Sequence, residues 1–293
     1  MKDFAGRVAV ITGAGSGFGR EFARMGHALG MKLVLADIQR NALDATLGEL
    51  RASGARAIGE VVDVARSDQV RHLADRAYAE FGAVHLLFNN AGVAGGGLVW
   101  ENDANDWSWV LGVNLMGVVH GIHHFVPRML DANRRGEPGH IVNTASIAGF
   151  LCPPLMGVYN VSKHAVVALT ETLYHDLALA KSTIGTSVLC PAFVPTGIAA
   201  SERNRPAELA RDGELTASMR LAQAQSEKAV SSGKMTAAEV ARITFDAIRA
   251  ERFYVFTHER ILAAVEARFD AVLSRGAPAD PFASNPSVRP AAT

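Results

Sequence analysis

The sequence predicts an α/β fold: one doubly wound parallel sheet of about seven strands, helices on both faces, and a C-terminal extension. Three observations predict it. Short runs at 8–11, 33–36, 58–62, 86–88, 141–143 and 186–189 are largely apolar and rich in β-branched residues, as strands buried on both faces are. Longer segments with helical spacing lie between them, near 18–29, 41–53, 67–81, 106–131 and 157–181, and strand–helix–strand repetition calls for parallel neighbours joined by crossovers. A glycine-rich turn follows the first run directly, at a strand end where folds of this class bind ligands.

Past Pro195 the alternation stops. Residues 197–235 read as helical polar stretches between Pro206, Gly213 and Gly233, with no evident strand. A connection this long in a compact domain is expected to be a lid over the cleft, the alternative being a surface insertion. Thr236-Ala237-Ala238-Glu239 has the spacing of a capping box and opens a helix to about Ala250. One more strand is expected at 252–257 and one more helix at 258–273. Residues 1–275 are expected to form a single domain. The tail from Gly276 carries Pro278, Pro281, Pro286 and Pro290 with few large apolar residues, and is expected to be disordered or draped on a neighbour.

Lys plus Arg and Asp plus Glu number 29 each in the 293 residues, so no global field recruits nucleic acid or an anionic membrane. The expected partner is a small molecule. The two cysteines, Cys152 and Cys190, lack metal-ligand spacing and sit in apolar sequence that reads as core, which fits a reducing, cytoplasmic setting. No apolar run reaches about 18 residues, and 8–11 is too short for a signal segment.

The chemistry concentrates at the strand ends. Gly13, Gly17 and Gly19 let the backbone turn tightly and approach a pyrophosphate at the N-terminus of the following helix, although any strand-to-helix loop also favours glycine. The spacing G-x-x-x-G-x-G departs from G-x-G-x-x-G, and no Gly-Lys-Ser/Thr follows to make a Walker loop. Asp37 ends the second strand, where a carboxylate accepts hydrogen bonds from adenosine ribose hydroxyls and repels a 2′-phosphate. With Ser16 giving the turn no basic partner, NAD is favoured over NADP; nearby Arg40 weakens that preference, and Asp37 as a plain helix cap is the alternative. Asp63 and Val64 could offer a carboxylate and an apolar wall to adenine. Asn89-Asn90-Ala91-Gly92 ends the fourth strand, with amides that can tie strand ends together and small residues that admit a cofactor.

Tyr159 and Lys163 are four residues apart on a helix and so share a face, with Ser146 upstream. A cation there favours phenolate, which can take or give a proton at an alcohol oxygen. Tyr159 is then the general base for alcohol oxidation and the general acid for ketone reduction; its pKa must fall from about 10 toward neutrality, with Lys163 and the cofactor's positive nicotinamide supplying the charge. Ser146 donates to the oxygen that gains alkoxide character. His120, His123 and His124 have metal-like spacing, but without a His-Glu-x-x-His pattern they are expected to be a packed face. Trp100, Trp107 and Trp109 read as core or cleft rim.

With these residues in place, the chain resembles the short-chain dehydrogenase/reductase family over roughly residues 3–258. The resemblance rests on Thr-Gly-x-x-x-Gly-x-Gly at 12–19, Asn-Asn-Ala-Gly at 89–92, Asn114 in Val-Asn-Leu, Ser146, and Tyr-x-x-x-Lys at 159–163. It implies a Rossmann-like fold and a catalytic tetrad of Asn114, Ser146, Tyr159 and Lys163, with Asn114 holding a water that links Lys163 to solvent. It further implies that NAD is held by Gly13, Ser16, Gly17, Phe18, Gly19 and Asp37, by Asp63, Val64, Asn90, Ala91 and Gly92, and by Tyr159, Lys163, Pro191, Val194 and Thr196. Lys163 would bind the nicotinamide ribose and Thr196 the carboxamide. Pro191-Ala192 departs from the family's Pro-Gly, and Phe18 replaces the usual Ile or Leu with a larger ring. The opening Met1-Lys2-Asp3-Phe4, the helix through Met129 and the C-terminal extension loosely resemble short-chain enzymes that oxidise benzylic alcohols in lignin-type aryl ethers.

The expected activity is interconversion of a secondary alcohol and a ketone. A bulky hydrophobic or aromatic substrate would sit against Gly95-Gly96-Gly97-Leu98, residues 148–156 and the lid. A dinucleotide-binding sensor or scaffold without turnover is the alternative. Apolar residues on more than one face of the helices near 106–131 and 157–181, among them Val118, Val119, Ile122, Phe125, Val166, Leu169, Leu173 and Leu177, predict a homodimer or homotetramer.

Overall fold

The computed structural model describes residues 1–283. Its seven strands are β1 (Val8–Thr12), β2 (Lys32–Asp37), β3 (Ala57–Val61), β4 (Leu86–Asn89), β5 (His140–Thr144), β6 (Gly185–Cys190) and β7 (Tyr254–Phe256). All pair in parallel in the order β3-β2-β1-β4-β5-β6-β7. The order reverses between β1 and β4, so a crevice opens there at the carboxyl ends of the strands.

Side chains alternate along each strand and divide the core into two layers. Ala9, Ile11, Leu33 and Leu35 point to the face covered by α1 (Gly17–Ala28), α2 (Arg40–Ala52) and α8 (Ala237–Arg249). Val8, Val10, Val34 and Ala36 point to the face covered by α3 (Ser67–Phe81), α5 (Gly117–Asn133) and α6 (Gly157–Leu179). α8 opens with the anticipated capping box, Thr236 and Glu239 each bonding the other's backbone N–H.

Several boundaries depart from expectation. β3 is an edge strand, so it is not buried on both faces: Gly59 and Glu60 are half-buried and Val61 is exposed. The helix expected over 106–131 is α4 (Ala104–Leu111) and α5 joined through a π-helical turn, Gly112–Met116. The whole stretch Ala104–Asn133 is long and apolar enough, by length and composition, to cross a membrane. Expectation missed it because Gly, His and Asn interrupt every apolar run, and in the fold Phe125, Val126 and Met129 are buried in the layer with Val8 and Val10, and Val118 in a cluster with Val188 and Cys190 of β6. Cys190 is a core thiol, but Cys152 is exposed, on a loop whose neighbours Leu151 and Leu155 take the buried positions. Of the eight apolar residues named for the several faces of these helices, Val118, Phe125, Val166, Leu173 and Leu177 are buried within the chain itself.

Residues 197–235 run from β6 through 3₁₀ turns at Gly197–Asn204 and Ala207–Leu209 into α7 (Ala217–Ser231). A desolvated ion cluster anchors the segment: Arg205 and Arg211 reach Asp106 at 2.6 and 2.8 Å, and the Arg205 guanidinium lies 4.4 Å from the Trp109 ring. Thr216 and Ser218 hydroxyls donate to the Glu101 carboxylate at 2.5 and 2.6 Å, fixing the start of α7. After β7 comes α9 (Leu262–Leu273). The expected disordered tail falls partly outside the described residues, but Pro281 and Phe282 are described and line the cavity below.

Candidate active site

A cavity of about 900 Å³ runs along the carboxyl ends of the strands. Its floor is the turn after β1. Gly13 and Gly17 take positive φ (67° and 52°), the region glycine enters without strain. A methyl group on Gly13 would lie 2.9 Å from the Ala91 Cα, and one on Gly19 would overlap the Gly13 carbonyl, so the turn closes only with hydrogen at these positions. Phe18 is half-buried against the core near Phe22 and also lines the cavity.

Asp37 is tied down from two sides: its carboxylate accepts the Gly15 N–H and the Gln39 N–H, each at 2.8 Å. Arg40 is exposed and not part of the cavity wall, whereas Arg20, which sequence reasoning overlooked, binds the Gly15 carbonyl at 2.6 Å and braces the turn. Asp63 caps the Ala65 N–H at 2.9 Å and, with Val64, lines the cavity.

The Asn-Asn-Ala-Gly segment ties strand ends as anticipated. Asn89 donates to Asn143 across β4 and β5 at 2.9 Å; Asn90 donates to the Thr12 carbonyl at 2.9 Å and accepts from Thr144 at 3.3 Å. Thr12 is a missed contributor. Its hydroxyl donates to Phe88 O and accepts the N–H groups of Asn90 and Ala91.

At the far end Ser146, Tyr159 and Lys163 come together, all buried and all lining the cavity. Ser146 caps a short turn by accepting the Ala148 N–H at 3.1 Å, and its hydroxyl lies 3.4 Å from Pro191 O. Lys163 donates to Thr144 O at 2.9 Å, and its Nζ stands 5.6 Å from the centre of the Tyr159 ring. Asn114 sits in the π turn, fully buried, holding both the N–H and the carbonyl of Val93 (2.8 and 3.0 Å) and donating to Ser162 at 3.0 Å. It thus fixes the loop that walls the Lys163 side. Pro191, Val194 and Thr196 line the cavity from β6 onward, with Thr196 packed beside Gly17.

Burial pushes the Tyr159 phenol up to about 12, only partly offset by its hydrogen bond with Ser146, and burial pushes Lys163 down to about 8. Desolvation disfavours each charged form, so the protein alone does not make the phenolate ready. A dinucleotide fits the residues present: a glycine cradle closed to side chains, a tied carboxylate at β2, and a lysine with only one of its donors engaged.

The histidines pack as expected: the His123 and His124 rings meet edge to face with centroids 4.7 Å apart, His120 contacts Val64 O and His124 contacts Ser67. Among the described residues no group of three or more His, Cys, Asp or Glu could hold a metal ion. Of the tryptophans, Trp109 is core, Trp107 packs beside it and Trp100 is exposed.

Known proteins give the same picture. The family model for short chain dehydrogenase matches residues 7–207. A CLA biosynthesis dehydrogenase/reductase of Lactiplantibacillus plantarum is 35% identical over 280 residues, 95% of this chain and 97% of that protein. A C alpha-dehydrogenase of a Sphingobium species is 33% identical over 279 residues, 95% of this chain and 89% of that one. Among solved structures, a short chain dehydrogenase/reductase from Burkholderia phymatum in complex with NAD is 57% identical, with a TM-score of 0.94 over 96% of this chain and 99% of that one. A family model over most of the chain, together with relatives and a solved structure that each cover more than nine-tenths of it, leaves one assignment: the chain belongs to the short-chain dehydrogenase/reductase family of oxidoreductases.

Proposed function

We propose that this protein is an NAD(H)-preferring oxidoreductase that interconverts a secondary alcohol and a ketone, with Tyr159 as general acid/base. The observation that carries the reading is the convergence of Ser146, Tyr159 and Lys163, buried together at one end of a cavity whose other end is the glycine turn and Asp37. When bound, the nicotinamide accepts or supplies the hydride. The chain's own groups handle the proton. In oxidation the Tyr159 oxygen takes the proton of the alcohol, and in reduction it returns one to the ketone oxygen. The Ser146 hydroxyl donates to the same oxygen as it gains negative charge. Lys163 lowers the cost of the phenolate, and Asn114 keeps Val93 and its loop in place beside it.

Asp37 would bind the adenosine ribose and disfavour a 2′-phosphate, which supports NAD over NADP, as does the NAD in the Burkholderia structure. The walls near Ser146, with Leu151, Pro153, Met156, Phe193, Ile198 and Val230, suit a bulky hydrophobic or aromatic substrate. Resemblance to the C alpha-dehydrogenase supports the aromatic version. We further read the protein as cytoplasmic and as a homodimer or homotetramer through α5 and α6, where Met116 at the end of the π turn that leads into α5 and Val161 on α6 stay exposed in the single chain.

The test is turnover on a panel of secondary alcohols and ketones with both dinucleotides. Tyr159→Phe should cut turnover by about 10² to 10⁴ while NADH still binds. A Phe variant with more than a tenth of wild-type activity would remove Tyr159 from the role. NADH binding with no turnover of any substrate by wild type would favour the sensor reading.

A further inference from the structure

The segment that leaves β6 ends up on the wrong side of the sheet to be a lid over substrate alone. Asn204 ends its first 3₁₀ stretch, Gly197–Asn204, and the Asn204 Oδ1 accepts a hydrogen bond from Gln39 Nε2 at 2.6 Å. Gln39 follows β2, yet β2 and β6 are separated by β1, β4 and β5. Four strand spacings of about 4.8 Å place the two starting points about 19 Å apart. To close that distance the chain must arch over the carboxyl ends of the three strands between, and it makes contacts on the way. Thr196 packs on Gly17 in the turn after β1, and the buried Ser201 hydroxyl accepts the N–H of Ala94 in the loop after β4 at 3.0 Å. The ion cluster of Arg205, Arg211 and Asp106 then pins the arch just past Asn204.

Gln39, Ser201 and Asn204 all line the cavity, so the arch forms its roof over the part bounded by Gly13, Gly17 and Asp37. We propose that the Gln39–Asn204 pair is a latch that closes the crevice over the adenosine half of a dinucleotide and sets how fast that dinucleotide leaves. The latch rests on the reading of the cavity as a dinucleotide site. A ligand lying beneath the arch is enclosed by strand ends below and by continuous chain above, and it departs only when this carboxamide pair parts. Both side chains are half-buried and neither belongs to a core layer, so either can be shortened without opening the fold.

The experiment measures NADH dissociation by stopped-flow fluorescence, with excess NAD⁺ as the displacing ligand. Wild type, Gln39→Ala, Asn204→Ala and the double variant are compared. Loss of one bridging hydrogen bond should speed dissociation about five- to tenfold in each single variant. The double variant should be no faster than the singles, because both remove the same contact. Unchanged rates, or effects that multiply in the double variant, would overturn the latch while leaving the oxidoreductase reading intact. If wild type bound no NADH, the dinucleotide reading and the latch would both fail. Gln39→Met keeps the length of the side chain and removes its amide, so it should release NADH as fast as Gln39→Ala; a wild-type rate in this variant would show that bulk alone closes the crevice and would overturn the proposal.

Discussion

Replacing Lys163 by methionine should move the pH profile of alcohol oxidation, not merely lower it. Burial, only partly offset by the hydrogen bond with Ser146, holds the Tyr159 phenol up to about 12, far above any useful range. Lys163, held at about 8, carries its charge at neutral pH. At an effective dielectric of about 20, a unit charge 5.6 Å from the ring centre favours the phenolate by about 3 kcal/mol, roughly two pH units of acidity. Oxidation needs the deprotonated phenol, so the rate rises with pH through that group's pKa. The methionine variant, assayed with saturating NAD⁺ and limiting alcohol, should therefore be slower by about 10² at pH 7 and regain about tenfold for each unit of pH above it. A profile with the wild-type midpoint and only a reduced plateau would refute the electrostatic role and leave Lys163 a positioning residue.

Other consequences are open to direct measurement. Gly19→Ala forces a methyl group onto the Gly13 carbonyl, and NADH titration should show affinity reduced at least tenfold, with the melting temperature also lowered. Asp37→Ala should narrow an NAD preference of about tenfold in kcat/KM; equal use of both dinucleotides by the wild type would contradict the role assigned to this carboxylate. His140 is buried and neutral, pushed down to about 3 by desolvation, whereas the unfolded chain protonates near 6.5. The unfolded state therefore binds the extra proton as pH falls below about 6.5, and about 2 kcal/mol of stability should be lost between pH 6 and pH 4. Denaturant unfolding of His140→Asn should show a shallower decline over that window.

Much of this site could be read in advance because its chemistry is local in the chain. Gly13, Gly17 and Gly19 lie within one turn, Asn89 to Gly92 within one strand end, and Tyr159 and Lys163 on one helical face. The strands were legible for a similar reason, since burial on both faces leaves an apolar run. What escaped depends on contacts between distant segments. Gln39 and Asn204 carry no local signal, being two ordinary amides 165 positions apart. Cys152 looked like core because the residues around it are apolar, and only the path of the loop turns it outward. β3 was taken as fully buried because its position at the sheet edge depends on strand order, which apolar runs do not encode. The depth to which Tyr159 is buried is likewise a property of the packed fold, which its place on one helical face does not encode.

The π turn at Gly112–Met116 has a further meaning for how this protein tolerates change in chain length. Fitting an additional residue into one turn rotates everything downstream by about 100° relative to everything upstream. α4 can therefore direct Trp109 and Asp106 toward the anchored segment after β6, while α5, continuing the same rod, directs Phe125 and Met129 at the sheet. An uninterrupted α-helix could satisfy only one of these two directions. The turn works as a phase shifter, and Asn114 occupies the point where the shift occurs. A one-residue insertion or deletion elsewhere along 104–133 would turn one stripe away from its partner, whereas loss of the additional residue here would preserve a regular helix and sacrifice the alignment between its halves.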